Sequence, residues 1–406
     1  MPLTIRAVLL PAVLALAGCA SEPGSKPSSG SEAFEYPPAP AVAPGRPGVD
    51  AAARTAARAL VRGAARDGSV AGDALERLAG SGDARQAWLL ADVLRFVRRL
   101  GDERTLVAAF ERLAGVDPRA DPTFEESAWR SVTNHLIAWD LPAAPGYVKL
   151  KAELFTAVEP GWRPFFADPD AEIDWRLVSW GGVLIDDRPE GADEPCERGC
   201  IPALDDPKLT GAAGGDWYPE DRIVFAVTVG GETVAFPRNI MEVHEMVNIT
   251  IGGRRLGIPY CTLCGSAQAY FTDSVPAGLE RPVLRTSGLL TRSNKVTYDL
   301  RSRSVLDTFT GRALSGPLHD RRVTLEQASV TVGTWGELKR ARPGVRIVAR
   351  DGGLGRDYPL DPLRGRDDDG PIFPIGPVDP RLPVQERVVG VIAPGGRPVA
   401  FPSGAA

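Results

Sequence analysis

The chain of 406 residues is long enough for roughly two to three domains of about 150 residues each. Hydrophobic residues make up 43% and charged residues 24%, so the composition is that of a globular protein and excludes wholesale disorder. The formal net charge of −5 gives no electrostatic basis for binding nucleic acid. The chain also holds 44 Gly and 37 Pro, a frequency that predicts many turns and hairpins.

Residues 1–18 have the pattern of a lipoprotein signal peptide. Their apolar run, 7–17, is too short to cross a bilayer as a helix, which needs about 20 residues. It leads into Leu16-Ala17-Gly18-Cys19, which resembles a bacterial lipobox whose cysteine is lipidated and becomes the first mature residue. Lipidation of Cys19 predicts a protein anchored to the membrane of the cell envelope, and Ala20 favours the periplasmic face of the outer membrane in a Gram-negative cell. The alternative is a chance cysteine after an ordinary secretory signal.

Two segments of different composition follow the signal peptide. Residues 19–49 are rich in Pro, Gly and Ser, which predicts a flexible tether. Residues 50–165 are rich in Ala, Arg and Leu, which predicts a helical domain. Within it, 74–80 and 109–115 share a short sequence echo whose spacing is typical of helix-hairpin repeats. We therefore expect a small stack of helical hairpins that packs on the rest of the chain and offers a surface for a protein partner.

Residues 170–406 are predicted to form a β-rich domain. Segments 221–237 and 386–402 align without gaps, and each has the pattern of a strand, a Gly-Gly turn and a second strand. Their similarity predicts equivalent β-hairpins within one β-rich unit, and the alternative is convergence on a common hairpin pattern. The predicted fold class is thus α+β, with an N-terminal helical-hairpin stack followed by a β-rich domain with duplicated hairpins.

The cysteines of the β-rich domain allow three kinds of chemistry. Cys261-Thr-Leu-Cys264-Gly265 lies between two apolar strands and has the form of a metal-binding turn. A structural zinc site needs four ligands, which Cys196 and Cys200 would complete. In an exported protein the same residues fit local disulfides, and the Cys-x-x-Cys pair also fits thiol redox chemistry. The sequence shows no helix after the motif that would lower the pKa of a cysteine through its dipole.

A short helix is predicted over 239–248, ahead of the cysteine motif. On it Met241, His244, Glu245 and Asn248 share one face. This is not the zinc-protease pattern, because Asn248 stands where the second histidine must be.

One Gly252-Gly253 hairpin joins this helix to the cysteine turn, so we expect the two to pack together. Soft thiolate and thioether ligands favour copper or zinc. The resulting hypothesis is a metal site whose ligands are Cys261, Cys264, His244 and Met241, supported by Glu245 and Asn248.

The stretch 173–340 resembles a bacterial family known as a domain of unknown function, number 3179. The residues that carry the resemblance include Trp180-Gly-Gly-Val183, His244-Glu245, Tyr260-Cys261-Thr-Leu-Cys264-Gly-Ser266, Ser287-Gly-Leu-Leu290, Ser293-Asn294, Tyr298-Asp299 and Thr334-Trp335-Gly336. The chain departs from the family pattern at Thr262, where a proline is usual, and at Leu306, where a tryptophan is usual. The resemblance implies no activity, because the family has none that is settled.

The sequence therefore leaves three functional hypotheses and does not decide whether the protein is an enzyme. The first is an envelope lipoprotein whose β-rich binding domain holds a soft transition metal at the Cys-x-x-Cys and histidine site. The second is a non-enzymatic scaffold with structural disulfides. The third is a thiol–disulfide oxidoreductase.

Overall fold

The computed structural model describes residues 34–42, 48–366, 370–393, 395 and 397–402. The predicted signal peptide, Cys19 and most of the tether lie outside these residues. The described part of the tether packs on the folded chain, because Phe34 and Tyr36 make edge contacts with the His135 ring and Trp139 Nε1 donates to the Pro37 carbonyl at 2.6 Å. In the described residues, no helix combines the length and apolar character needed to cross a membrane.

The segment predicted to be helical consists of helices and 3-10 turns joined by loops. Its helices are α1 (Ala51–Asp67), α2 (Gly72–Ala79), α3 (Ala87–Phe96), α4 (Leu100–Ala114), α5 (Ala128–Ala138) and α6 (Tyr147–Val158), and short 3-10 turns occur at Ala84–Gln86, Pro118–Ala120, Pro122–Phe124 and Pro160–Phe166. The first helix shows why the boundaries fall where they do. The Asp50 side chain accepts hydrogen bonds from the first backbone N–H groups of α1, and Gly68 ends the helix in the left-handed conformation with φ 69°.

The rest of the chain is built from short strands, which confirms the α+β class. The strands are β1 (Val178–Trp180), β2 (Leu204–Asp205), β3 (Leu209–Gly211), β4 (Ile223–Val229), β5 (Glu232–Pro237), β6 (Met246–Ile251), β7 (Arg254–Cys261), β8 (Ser266–Ala267), β9 (Ala269–Phe271), β10 (Leu284–Thr291), β11 (Asn294–Asp299), β12 (Val305–Asp307), β13 (Glu326–Ala328), β14 (Val330–Thr334), β15 (Arg346–Val348), β16 (Val388–Ala393) and β17 (Arg397–Pro402). Three further helices are α7 (Arg238–His244), α8 (Gly316–Asp320) and α9 (Trp335–Ala341), and 3-10 turns occur at Ala212–Gly215 and Thr272–Ser274.

In the described residues these strands form separate sheets. One has the order β1-β10-β11-β12, a second β13-β9-β7-β6-β2 with β8 paired to β7, a third β14-β4-β5-β15-β3, and β16 pairs with β17. Neighbours are antiparallel except β2 with β6 and β15 with β5. The first sheet and the helices share one hydrophobic core, which runs from Val49 through the helices to Val305. The helical part thus packs on the β-rich part, as the short repeat predicts.

Both Gly-Gly segments form hairpins, as the sequence predicts, but not within one sheet. The first, β4–β5, lies in the five-stranded sheet, and the second, β16–β17, is a two-stranded sheet of its own. The two predicted hairpins are therefore confirmed, whereas their positions in different sheets give no support for a duplicated sheet.

The two hairpins also differ in register. Val229 lies opposite Glu232 in the first, whereas Ala393 lies opposite Arg397 in the second. In the sequence Pro394 stands where the first hairpin has Val229, and proline has no N–H to donate to a strand ladder. A register change of one residue exchanges the two faces of a strand, so the equivalent side chains do not have equivalent surroundings.

The short helix before the cysteine motif ends earlier than the sequence predicts. It stops at His244, and Glu245 takes a left-handed conformation with φ 53°. The chain then enters β6, so Asn248 lies on a strand and not on the helix face shared by Met241 and His244.

Candidate functional site

The Cys-x-x-Cys turn lies at the end of the β6–β7 hairpin. β6 and β7 pair from Met246 opposite Pro259 to Ile251 opposite Arg254, and Cys261 is the last residue of β7. The Cys264 N–H donates to the Cys261 carbonyl at 3.2 Å, and Gly265 continues the turn with φ 60°. The chain then returns through β8, which pairs with the end of β7. The two cysteines are thereby held across one tight turn.

The two cysteine sulfurs are close together and unequally exposed. The Cys261 and Cys264 Sγ atoms lie 2.6 Å apart, both residues are free, and Cys261 is buried whereas Cys264 is exposed. The turn packs against the β10–β11 connection, where Cys264 Sγ lies 3.4 Å from Asn294 Oδ1 and 4.0 Å from the Ser293 carbonyl. One sulfur of the pair thus faces solvent and polar oxygens, while the other is enclosed.

A buried ion pair lies beneath the turn. Lys295 Nζ donates to the Glu245 carbonyl at 2.6 Å and to Thr286 Oγ1 at 2.8 Å, and it lies 3.3 Å from Glu245 Oε2. The Thr262 hydroxyl, inside the cysteine motif, donates to Glu245 Oε1 at 2.7 Å. The left-handed backbone of Glu245 directs both its carbonyl and its carboxylate to Lys295. Conformations of this kind are costly for residues other than glycine and are concentrated at functional sites.

The surroundings separate the pKa values of the two thiols. The pKa of Cys261 is lowered by its hydrogen bond with Cys264 and further by the backbone N–H of Lys295, although burial and the charge of Glu245 act in the opposite direction. The pKa of Cys264 is raised by the same hydrogen bond and by the negative charges of Cys261 and Glu245. Burial lowers the pKa of Lys295, and the charge of Glu245 opposes that shift. Of the two thiols, Cys261 is therefore the one that ionises more readily.

His244 is bonded on both ring nitrogens by other parts of the chain. Nδ1 lies 2.8 Å from the Pro202 carbonyl and Nε2 lies 2.7 Å from the Tyr358 hydroxyl. A carbonyl only accepts, so Nδ1 carries the proton and Nε2 accepts from Tyr358. Burial lowers the pKa of His244 to about 4, which keeps the ring neutral near pH 7. A metal at Nε2 would have to displace the tyrosine.

The other predicted ligands and supporting residues also have different surroundings. Met241 is fully buried in an apolar cluster. Asn248 donates to Asp205 Oδ1 at 2.9 Å and accepts from the Leu284 N–H at 3.2 Å, next to the buried ion pair of Asp205 with Arg285. Of the two predicted supporting residues, Glu245 contacts the cysteine turn and Asn248 belongs to this second network.

The predicted copper or zinc site does not fit this geometry. Two thiolates on one zinc ion with bonds of about 2.3 Å at tetrahedral angles lie about 3.8 Å apart, well beyond the 2.6 Å that separates the two sulfurs. In the described part of the chain, the cluster with three His, Cys, Asp or Glu ligand atoms within 4.8 Å of one another is that of Asp168, His319 and Asp320. The set of Cys261, Cys264 and His244 is not brought together in this way.

The remaining cysteine pair forms a disulfide. Cys196 and Cys200 are bonded to each other, with Cα atoms 5.5 Å apart. A zinc site built from all four cysteines is therefore absent from the described residues, and the local pairing predicted as an alternative is present at this position.

Lys295 and Tyr358 also contact the predicted site residues, although neither was predicted from the sequence. Lys295 lies on β11, where a single lysine is usually solvated, and yet its side chain is 3% exposed. A signal was available, because this lysine directly follows Ser293-Asn294, which carry the family resemblance. Tyr358 meets His244 across 114 residues in a loop rich in Gly, Asp and Pro, where no local pattern marks it.

The comparison with protein families agrees with the resemblance found in the sequence. The chain matches the family described as "Protein of unknown function (DUF3179)" over residues 198–405, which is just over half of its length. No curated protein and no solved structure gives a match. The matched range starts later than the predicted 173 and extends past 340 through the β16–β17 hairpin. It includes the cysteine turn, His244 and the buried ion pair, and the chain therefore belongs to the DUF3179 family.

Proposed function

We propose that this chain is a thiol–disulfide redox protein in which Cys261 and Cys264 alternate between a dithiol and a disulfide. The observation that carries the proposal is the closeness of the two free sulfurs, at 2.6 Å, in a turn that exposes one of them to solvent. A disulfide bond of about 2.0 Å requires only a small approach of these atoms.

The electrostatics of the turn support the same function. A redox-active cysteine needs a stabilised thiolate and an accessible sulfur. Hydrogen bonds from Cys264 and from the Lys295 backbone stabilise a negative charge on Cys261, and Cys264 is the exposed cysteine that a substrate can reach. In other proteins a helix N-terminus stabilises the cysteine thiolate. Here Cys261 instead lies at the end of a strand and in a tight turn, next to the buried Lys295.

We further propose that the protein works in the cell envelope, anchored through a lipidated Cys19. The proposal is supported by the lipobox-like sequence and by the Cys196–Cys200 disulfide, since structural disulfides are typical of exported proteins. Labelling cells with a clickable fatty acid tests the anchor. The natural chain should be labelled and sediment with membranes, and Cys19→Ala should be unlabelled. Equal labelling of both would contradict it.

Thiol counting across a series of glutathione buffers tests the redox function. The chain from residue 34 onward is equilibrated at ratios of reduced to oxidised glutathione, quenched in acid, alkylated and weighed. Two thiols, mapped to Cys261 and Cys264, should appear and disappear together. Cys261→Ser and Cys264→Ser should abolish this step, while the matched double variant C196S/C200S should retain it.

The same preparation tests the metal hypothesis by elemental analysis. Copper or zinc bound at one ion per chain, and lost in Cys261→Ser, would contradict the redox proposal. So would a Cys261–Cys264 pair that stays reduced, or stays oxidised, at every glutathione ratio.

A further inference from the structure

We infer that Cys264 is the sulfur that a substrate thiol attacks and Cys261 the sulfur that leaves, so that the oxidised pair converts dithiols to disulfides. This inference rests on the proposed redox function and adds to it the direction of the reaction, the class of substrate and the role of each cysteine. Groups that stabilise a thiolate on Cys261 stabilise the reduced pair, and a pair whose reduced form is stabilised acts as an oxidant.

Access decides which sulfur is attacked. A thiolate must reach one sulfur of a disulfide, and accessibility is one of the factors that determine which of the two reacts. Cys261 is 1% exposed at the end of β7. Cys264, three residues later in the turn, is exposed. A substrate sulfur arriving from solvent therefore meets Cys264 first.

The groups around each sulfur decide which one leaves. Departure is faster when the leaving thiolate is stabilised. Lys295 Nζ lies 3.5 Å from the carbonyl of Tyr260, the residue before Cys261, and the lysine side chain is buried. Cys264 instead lies near oxygen acceptors, Asn294 Oδ1 and the Ser293 carbonyl, which favour a protonated thiol. The opposite shifts of the two thiol pKa values agree with this assignment.

The reaction balances with a dithiol as the electron donor. A substrate thiolate attacks Cys264 Sγ, a mixed disulfide forms, and the Cys261–Cys264 bond breaks with its electron pair going to Cys261. The second substrate thiolate then attacks the substrate sulfur of the mixed disulfide. The substrate becomes a disulfide, and Cys264 leaves and takes up a proton. Two electrons pass from the substrate to the pair, and an external disulfide such as oxidised glutathione restores the oxidised protein.

The site of attack can be mapped on the unaltered chain. The oxidised protein is mixed with reduced glutathione, quenched in acid within milliseconds to seconds, and digested for mass spectrometry. At least tenfold more glutathione should be found on Cys264 than on Cys261, and the Cys196–Cys200 disulfide serves as the internal control for unselective exchange. Glutathione found mainly on Cys261, in a protein whose pair still cycles, would overturn the inference and leave the proposed function intact.

The direction of the reaction is tested by comparing two rates at pH 7. Oxidation of a synthetic peptide with two cysteines by the oxidised protein should be at least tenfold faster than reduction of the same peptide's disulfide by the reduced protein. The inverse ratio would overturn the inference. Absence of both reactions, together with a pair that does not respond to glutathione, would instead overturn the proposed function.

Discussion

At the scale of single residues, the neutral imidazole of His244 makes the folded protein sensitive to acid. Burial lowers its pKa to about 4, with smaller contributions from the charges of Arg356 and Arg188, whereas Asp186 and the bond to Pro202 act in the opposite direction. In the unfolded chain the pKa is about 6.5. The unfolded state therefore binds more protons between these values, and the stability due to this group is lost as the pH falls from about 6.5 to about 4.

Replacing His244 by Gln should remove this dependence. Between pH 7 and pH 4, the free energy of unfolding should fall by about 3 kcal/mol more in the natural chain than in His244→Gln. This follows from the lowered pKa of His244, because a shift of one pKa unit corresponds to 1.36 kcal/mol. Urea unfolding at a series of pH values measures this difference. Tyr358→Phe is the matched control, since it removes one partner of the ring but keeps its titration. An identical pH dependence in the natural chain and His244→Gln would contradict the burial argument.

The charges of Lys295 and Glu245 compensate each other in a buried ion pair. Their side chains are 3% and 11% exposed, and removing one partner of a buried pair leaves the other charge without compensation. We expect Lys295→Met to lower the free energy of unfolding by about 3–5 kcal/mol. The double variant K295M/E245Q should be less destabilised than the sum of the single variants by at least about 1 kcal/mol. Additive effects in urea unfolding would show that the two groups act independently.

Some residues of the site could be predicted from the sequence, and others could not. The Cys261-x-x-Cys264 pair could be predicted because Cys-x-x-Cys followed by Gly265 is a local pattern typical of a tight turn. The partners of His244 were not found, because hydrogen bonds over 42 and 114 residues leave no local pattern. The predicted metal site required a free ring nitrogen on His244. In the structure, the Pro202 carbonyl and the Tyr358 hydroxyl are hydrogen-bonded to the two ring nitrogens.

At the scale of secondary structure, two Gly-Gly turns pack directly against each other. A Cβ atom on Gly252 would lie 2.2 Å from the Val229 carbonyl oxygen, which is backbone and cannot move aside easily, whereas one on Gly253 would meet nothing within 4 Å. Both residues have positive φ, 55° and 78°. The turns of the β4–β5 and β6–β7 hairpins therefore approach too closely for any side chain at Gly252.

The two glycines form a matched pair of substitutions. Gly253→Ala should lower the free energy of unfolding by about 1–2 kcal/mol, the cost of a side chain in the left-handed region. Gly252→Ala should cost at least about 2 kcal/mol more, because it adds a backbone clash to the same conformational cost. Thermal or urea unfolding of the two variants measures the difference. Equal costs would mean that the turns do not pack as the structure shows.

The elements could be predicted where glycine or periodic apolar residues mark them. Gly252-Gly253 predicted the β6–β7 hairpin correctly, and the alanine-rich segment predicted the helices. The end of α7 was missed because Glu245 takes a left-handed conformation that glutamate rarely adopts. The shared hairpin pattern predicted two hairpins but not their sheets, because strand pairing depends on partners distant in the sequence.

At the scale of the whole molecule, side chains of the helical part donate hydrogen bonds to backbone carbonyl groups of the β-rich part. Lys151 Nζ donates to the Val178 carbonyl at 2.6 Å, and Trp162 Nε1 donates to the Ser287 carbonyl at 2.7 Å. Arg95 Nε donates to the Trp180 carbonyl at 2.9 Å. These bonds lie where the helices and the β1-β10-β11-β12 sheet share one apolar core. Separation of the two parts would expose that core and leave the carbonyl groups to water.

We therefore predict that residues 34–406 unfold in one cooperative transition and that fragment 168–406 does not reach the native structure alone. The matched control is 34–385, which lacks the β16–β17 hairpin. Among the described residues those two strands pair only with each other, so this loss should lower the melting temperature by less than about 4 °C. Circular dichroism and calorimetry of the three proteins test both statements. Two separate transitions in the full chain, or a native-like melting curve for 168–406, would show that the β-rich part is an independent domain and that the helices only cover it.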